Sequence, residues 1–293
     1  MRKYFSNPIA ILILVLPGLV LFLVMVLYPL LMVITKSFTE WDGLNPAMFT
    51  GIQNYKKLFS DPIFGISVKN GLLFAGTQVV LQIPIATILA LAVLSAGKHM
   101  KKFLRISYFV PTVLSVTVVC QLWMSLYNAD YGLINKLFEA IGINYRQNWL
   151  SNSTTAIFAI AITNIWQFMG YQFILLFTSA RSIPADYYEA ATIDGCTKMR
   201  AHWAITIPLM QETFKYCLII AITGGLNAFS TMYIMTGGGP GYETYTLTYQ
   251  MYRSAFRMNQ FGYGSASATV LILECLLVSI VINRLVARER IVY

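Results

Sequence analysis

An all-α, polytopic membrane protein with six transmembrane helices is what these 293 residues encode, and three observations lead there. Apolar residues make up 57% of the chain and charged residues 11%, whereas an average soluble chain carries ~25% charged residues. Mean hydropathy is +0.63. The apolar residues also fall into runs of about 20, the length that crosses ~30 Å of hydrocarbon as a helix. Such a chain is neither disordered, nor a disulfide scaffold, nor one of most cytosolic enzymes.

The first run, 9–34, carries no charge and is too long for the core of a cleavable signal peptide. It is expected to persist as a helix, with Pro17 and Pro29 tolerated there or placed near its end. The second, 71–96, is interrupted by Gln78, Gln82 and Pro84. The remaining runs are 106–126, 154–179, 216–235 and 265–285. Residues 1–293 are therefore read as one transmembrane domain.

Orientation follows from the basic residues, which gather between the runs and leave a net charge of +9. Loops placed inside carry Arg2, Lys3, Lys98, Lys101, Lys102, Arg105, Arg181, Lys198, Arg200, Arg284, Arg288 and Arg290. Loops placed outside carry Lys36, Lys56, Lys57, Lys69, Lys136, Arg146, Arg253 and Arg257. The cluster at 98–105 weighs most, because short loops beside a span dominate the positive-inside bias. Both chain ends then lie in the cytoplasm. With the basic residues so placed, no Arg-rich face with interleaved aromatics is left for nucleic acid.

Outer loops 36–70, 127–153 and 236–264 are long and rich in Gly, Asn, Tyr and Phe. Inside, only 181–215 is long, and it reads as helical: Pro184 suits a first turn, Asp186 and Glu189 suit the positive N-terminal end, and Ala185, Ala190, Ala191, Met199 and Ala201 favour helix. A long helical loop on a face otherwise trimmed to short turns is a docking surface for another protein.

Chemistry of other kinds leaves little trace. No phosphate-binding loop occurs, since Gly237-Gly238-Gly239-Pro240 lacks the lysine and the following helix. His99 and His202 have no second ligand at metal spacing. Cys120, Cys196, Cys217 and Cys275 read as reduced thiols. Glu274, midway along the sixth run, is either a bundle-facing acid held neutral or hydrogen-bonded, or an ion site of the kind an ion-coupled secondary transporter needs. A membrane-embedded enzyme would need a nucleophile or metal cluster, and neither is apparent. Glu212 and Lys215 form a local i,i+3 pair.

The fourth run is distinctive. Asn164, Gln167, Phe168 and Tyr171 stand at i, i+3, i+4 and i+7, on one helical face with Trp166 to one side. Two amides and two aromatics on a stripe inside a bilayer serve either as hydrogen-bonding glue between helices or as the lining for a polar, uncharged solute. In the fifth run Gly224, Gly225 and Asn227 offer either close helix packing or room for a ligand.

Glu189-Ala190-Ala191, Gly195 three residues on, and Ile205-Thr206-Ile207-Pro208 after nine more resemble the E-A-A-x-x-x-G-x9-I-x-L-P loop of permease subunits of binding-protein-dependent ABC importers. Ile207 stands where Leu is usual. Thr236-Gly237-Gly238-Gly239-Pro240 with Thr244, Leu247, Tyr249, Tyr252, Ala255-Phe256 and Gly262-Tyr263 is similar to the sugar branch, as is Phe49-Thr50-Gly51 with Asn54-Tyr55 and Leu58. The resemblance is to the first-permease type of the maltose, glycerol-phosphate and oligosaccharide transporters.

That resemblance implies a type I ABC importer fold in a bacterial inner (cytoplasmic) membrane. It implies a second permease subunit, two cytoplasmic ATPase subunits holding the ATP and magnesium, an extracytoplasmic solute-binding protein, and a sugar as substrate. No cofactor belongs to this chain, and the chain is not itself an enzyme. The loop 181–208 would supply a coupling helix seated on the ATPase through Glu189, Ala190, Ala191, Asp194, Gly195 and Pro208, with Gly195 allowing the turn between two helical pieces. The match Asn164-x-Trp166 with Tyr171 places the sugar site partly on the fourth span. Gln167, Phe168, Gly224 and Gly225 depart from the family member's residues, so the pocket is expected to differ in shape from one for maltose.

Overall fold

The computed structural model describes residues 8–95 and 97–286. Arg2, Lys3, Arg288, Arg290 and Ala96 lie outside the described residues. The chain forms two compact units, one of Met1–Asp61 with Gln250–Val270 and the other of Pro62–Tyr249 with Leu271–Tyr293.

In the first unit, α1 (Pro8–Phe22), a wider π-type turn (Leu23–Leu27) and α2 (Tyr28–Lys36) follow one another. The wide turn stands just ahead of Pro29, whose ring would otherwise meet the carbonyl of Met25 in a regular helix. Side chains around the whole circumference are exposed, as suits a helix whose solvent is lipid. A short hairpin follows, β1 (Thr39–Glu40) against β2 (Met48–Phe49), in the register Thr39 to Phe49 and Glu40 to Met48.

The hairpin is fastened by α3 (Gln53–Ser60), where Asn54 Nδ2 donates to the carbonyls of Ser37 and Thr39, each at 2.9 Å. The Tyr55 and Ser37 hydroxyls lie 2.7 Å apart, and Leu58 is fully buried. Gly262 belongs to the same knot: its N–H donates to the Trp41 carbonyl at 3.1 Å, and a Cβ there would collide with the Thr39 carbonyl. Asp61 Oδ2 accepts from the Tyr263 hydroxyl at 2.8 Å and from Gln250 Nε2 at 3.2 Å. The Asn54-Tyr55 and Gly262-Tyr263 motifs thus tie the segment after α2 to the start of the last helix.

The second unit is built around α8 (Ala156–Arg181), which packs against α4 (Pro62–Ser95), α5 (Lys98–Val113) and α12 (Gln211–Leu226). One apolar cluster joins Ile83, Ala86, Ala90 and Val93 of α4 to Phe173, Leu176 and Phe177 of α8 and to Cys217 and Ala221 of α12. A second joins Phe74, Cys120 of α6 (Val116–Leu126), Ile157, Ile160, and Met232 and Met235 of α13 (Ser230–Met235). The last helix, Phe261–Leu285, contributes residues to both units.

Among the described residues, four helices are long and apolar enough to cross a membrane: Ile11–Lys36, Pro62–Leu94, Ala156–Arg181 and Phe261–Leu285. The number becomes six if each of two bent pairs counts as one crossing. Three expected boundaries change. The second helix begins at Pro62 rather than 71, because Lys69 and Asn70 are accommodated within it; Asn70 is buried and its Nδ2 donates to the Tyr242 carbonyl at 3.1 Å. The third run is two helices bent by 100° where Leu114 and Ser115 take up extended backbone, three residues after Pro111. The fifth starts earlier, at Gln211, and ends at Leu226, with α13 following as a separate turn.

Candidate functional site

A cavity of about 310 Å³ opens inside the second unit, walled by α4, α8, α12 and the break before α13. Amides line it from three helices: Gln78 and Gln82, Asn164 and Gln172, and Asn227. Phe168, Tyr171 and Phe229 give it aromatic faces, and Ser230 and Thr231 add hydroxyls. None of its lining residues is an acid or a base.

The amides are held in place. Gln78 Nε2 donates to Asn164 Oδ1 at 3.0 Å, which fixes both. Gln172 is 1% exposed; its Nε2 reaches the Cys217 carbonyl at 3.4 Å, while its buried Oε1 has no partner. A buried acceptor left unmade costs ~1–3 kcal/mol, and Gln172 carries that cost in the cavity wall. Asn227, the C-cap of α12, donates to the Thr223 carbonyl at 2.8 Å.

Five of the seven residues expected to line a site stand here: Asn164, Phe168, Tyr171, Gly224 and Asn227. Gln167 and Gly225 do not. Gln167 Nε2 instead donates to the Leu114 carbonyl at 3.1 Å, and the Thr112 hydroxyl donates to the Gln167 carbonyl at 2.9 Å. Gln167 therefore satisfies backbone freed by the bend between α5 and α6, as broken helices in lipid require. A Cβ on Gly225 would lie 2.7 Å from Ala75 Cα, so Gly225 lets α12 close onto α4. Gly224 has nothing within 4 Å of that position and leaves open space. Gln172 was missed in the sequence, and Gln78 and Gln82 registered only as polar interruptions of an apolar run.

The second feature is the cytoplasmic-loop candidate. α9 (Ala185–Ile193) is capped at Asp194, and Gly195 follows at φ 74°. The Cys196 N–H donates to the Ala191 carbonyl at 2.8 Å and the Gly195 N–H to the Thr192 carbonyl at 3.0 Å. These two bonds make a Schellman cap, which needs a left-handed residue at that position. α10 (Lys198–Ala201) starts on Thr197, whose hydroxyl accepts from the Arg200 N–H at 3.4 Å. A π-type turn (His202–Thr206) then leads into α11 (Ile207–Leu209), with Pro208 in its first turn, the same arrangement as before Pro29.

The two halves of the loop are linked in a way the motif spacing did not reveal. The Tyr188 hydroxyl lies 2.9 Å from Thr206 Oγ1, which also lies 3.2 Å from His202 Nδ1, and Thr206 is fully buried. Met210, also fully buried, is the hinge at which this segment meets α12 at 68°. Glu189, Ala190, Asp194 and Gly195 are exposed, while Ala191 and Pro208 are partly covered. Beside them Ile193 is 87% exposed, Trp203 68% and Met199 67%. Large apolar side chains are thus displayed together around a polar helix.

Residues 82–291 match the family described as the binding-protein-dependent transport system inner membrane component. The chain belongs to that family. The match takes in the whole of the loop 181–208 and every cavity residue except Gln78. The permease is 36% identical over 269 residues to the probable ABC transporter permease protein YurN of Bacillus subtilis, covering 90% of this chain and 91% of that one. It is 33% identical over 264 residues to the multiple sugar-binding transport system permease protein MsmF of Streptococcus mutans, covering 89% and 90%. A chain in the crystal structure of a bacterial ABC transporter that imports the acidic polysaccharide alginate superposes with a TM-score of 0.84, at 22% identity, over 100% of this permease and 99% of that chain. The fold is thus that of a type I ABC importer permease, and the permease is a transport component of the inner membrane rather than an enzyme.

Proposed function

We propose that the permease passes a neutral di- or oligosaccharide inward, drawing its energy from ATP hydrolysed by partner subunits. The observation that carries this reading is the charge-free cavity, in which five amides and two hydroxyls share the wall with aromatic rings that offer flat apolar faces. Amides match sugar hydroxyls, and rings stack on sugar C–H faces. The absence of a lining cation disfavours an anionic sugar, which would need a paired charge. The name of the Streptococcus mutans relative points to the same substrate class.

Movement is derived from the way the loop joins the cavity. An extracytoplasmic binding protein delivers the solute, and a second permease subunit completes the passage. A cytoplasmic ATPase grips α9 and its exposed neighbours Ile193, Met199 and Trp203. The Tyr188–Thr206–His202 link makes the gripped segment one body, and Met210 joins it to α12. Sixteen residues of α12 form a rod of about 24 Å that ends on Gly224 and Asn227 at the cavity wall. Rigid rocking of this rod, rather than local softening, then opens or closes the cavity as the ATPases engage and release. Glu274 is not among the cavity residues, so ion coupling through it finds no support at this site.

The test is uptake in proteoliposomes holding both permeases, the ATPases and the binding protein. Neutral oligosaccharides are expected to enter with ATP, and oligosaccharides of uronic acids to compete poorly. Efficient uptake of the acidic set alone, or uptake that follows a proton gradient without ATP, would overturn the reading.

A further inference from the structure

A second concavity, about 620 Å³ and sharing no lining residue with the solute cavity, runs along α5. Lys102 and Arg105 stand at one end, followed by Ile106, Phe109, Val110, Val113 and Leu114, with Ile174 of α8 as the other wall. We propose that this groove is a binding site for an anionic phospholipid, with the phosphate on Lys102 and Arg105 and an acyl chain laid along the apolar stripe.

Three features of the groove converge on that occupant. Positions 102, 105, 106, 109, 110 and 113 recur at helical spacing and make one face, so cations and apolar residues share a single track. That track rises about 17 Å over eleven residues, roughly half of the ~30 Å hydrocarbon core, and so has the depth of one leaflet. Its apolar end coincides with the bend between α5 and α6. The charge is uncompensated: among the described residues neither Lys102 nor Arg105 has an ion-pair partner, and no acid lines the groove.

Arg105 is positioned from its own helix and from α8. Its Nε donates to the Lys101 carbonyl at 3.3 Å, and its guanidinium carbon lies 5.7 Å from the centre of the Phe177 ring. The walls are firm as well, because Gly170 lets α8 approach until a Cβ would collide with the Tyr108 carbonyl. A transmembrane helix from another subunit is the competing occupant. Such interfaces favour small residues that let backbones approach, yet the apolar stripe consists of Ile, Phe, Val and Leu only. Basic residues at a membrane surface, beside a groove between helices, are the arrangement that anionic headgroups select.

The experiment is native mass spectrometry of the assembled importer, delipidated and then offered phosphatidylglycerol or phosphatidylcholine with identical acyl chains. Retention of phosphatidylglycerol over phosphatidylcholine is expected. Each basic residue favours an anionic lipid about five-fold, so Lys102→Gln with Arg105→Gln should reduce that preference by about twenty-five-fold. Val110→Trp should expel the lipid while the importer stays assembled. Equal retention of both lipids by the unaltered importer would overturn the proposal, and so would loss of the second permease on Val110→Trp, which would make the groove a protein interface. Because the readout is lipid retention, it stands or falls separately from the identity of the transported solute.

Discussion

Two glutamines five residues apart on α8 each donate through Nε2 to a backbone carbonyl and each keep a buried, unpartnered Oε1, but only Gln172 lines the cavity, and their substitutions should part accordingly. Gln167→Leu leaves the Leu114 carbonyl without its donor at the bend, which should destabilise the permease by ~1–3 kcal/mol, read as a lower midpoint of thermal unfolding of the assembled importer. Gln172→Leu takes an amide out of the cavity wall and loses only a long 3.4 Å bond to the Cys217 carbonyl, so the importer should stay assembled while apparent affinity for solute drops by ~1 kcal/mol. The glycines behave likewise. Gly224→Leu fills open space and should weaken transport about ten-fold, the equivalent of ~1.4 kcal/mol. Gly225→Leu meets the α4 backbone and should cost ~1–3 kcal/mol of stability. The amino-acid sequence revealed the polar stripe but not its centre. At ~100° per residue, Gln167 lies about 60° to one side of Asn164 and Gln172 about 80° to the other, and only the neighbouring helices decide which edge faces the cavity.

At the scale of elements, the loop between α8 and α12 carries the sharpest expectation. Gly195 sits at φ 74° as the left-handed residue of a Schellman cap, so Gly195→Ala should strain the turn by ~1–2 kcal/mol although nothing crowds the site. Gly195→Asp should abolish uptake while the permease remains in the membrane, because it adds a charged side chain to the exposed turn that the ATPase is proposed to grip. Normal uptake by that variant would remove the coupling role. Tyr188→Phe breaks the link to Thr206 and should reduce solute stimulation of ATPase activity more than basal hydrolysis. The glycine was legible because helix-terminating glycines have a backbone reason to be where they are. The Tyr188–Thr206 contact was not, since it joins residues on two elements whose packing no periodicity describes. Long apolar helices were legible for the converse reason: hydropathy alone requires them. The bend after Pro111 and the stop at Leu226 escaped because neighbouring side chains, Gln167 among them, satisfy the freed backbone.

For the whole molecule, membership of the family places the permease in the inner membrane, and the positive-inside bias predicts the direction of each crossing. α8 is the most useful crossing to test, since its 26 residues rise about 39 Å, more than the ~30 Å hydrocarbon core. Arg181 closes its C-terminal end and Lys198 and Arg200 lie beyond it, so that end should be cytoplasmic. Cys196 is a reporter already present there: it is partly exposed, whereas Cys120 and Cys217 are buried. In inverted vesicles stripped of the ATPase, a membrane-impermeant maleimide should modify Cys196, and in right-side-out vesicles it should not. Asn144, exposed before the N-terminal end of α8, supplies the opposite marker. In a Cys196→Ser background, Asn144→Cys should react from the outside only. Labelling of both positions from the same side would mean that α8 does not cross, and the loop could then no longer be driven by an ATPase across the membrane from the binding protein.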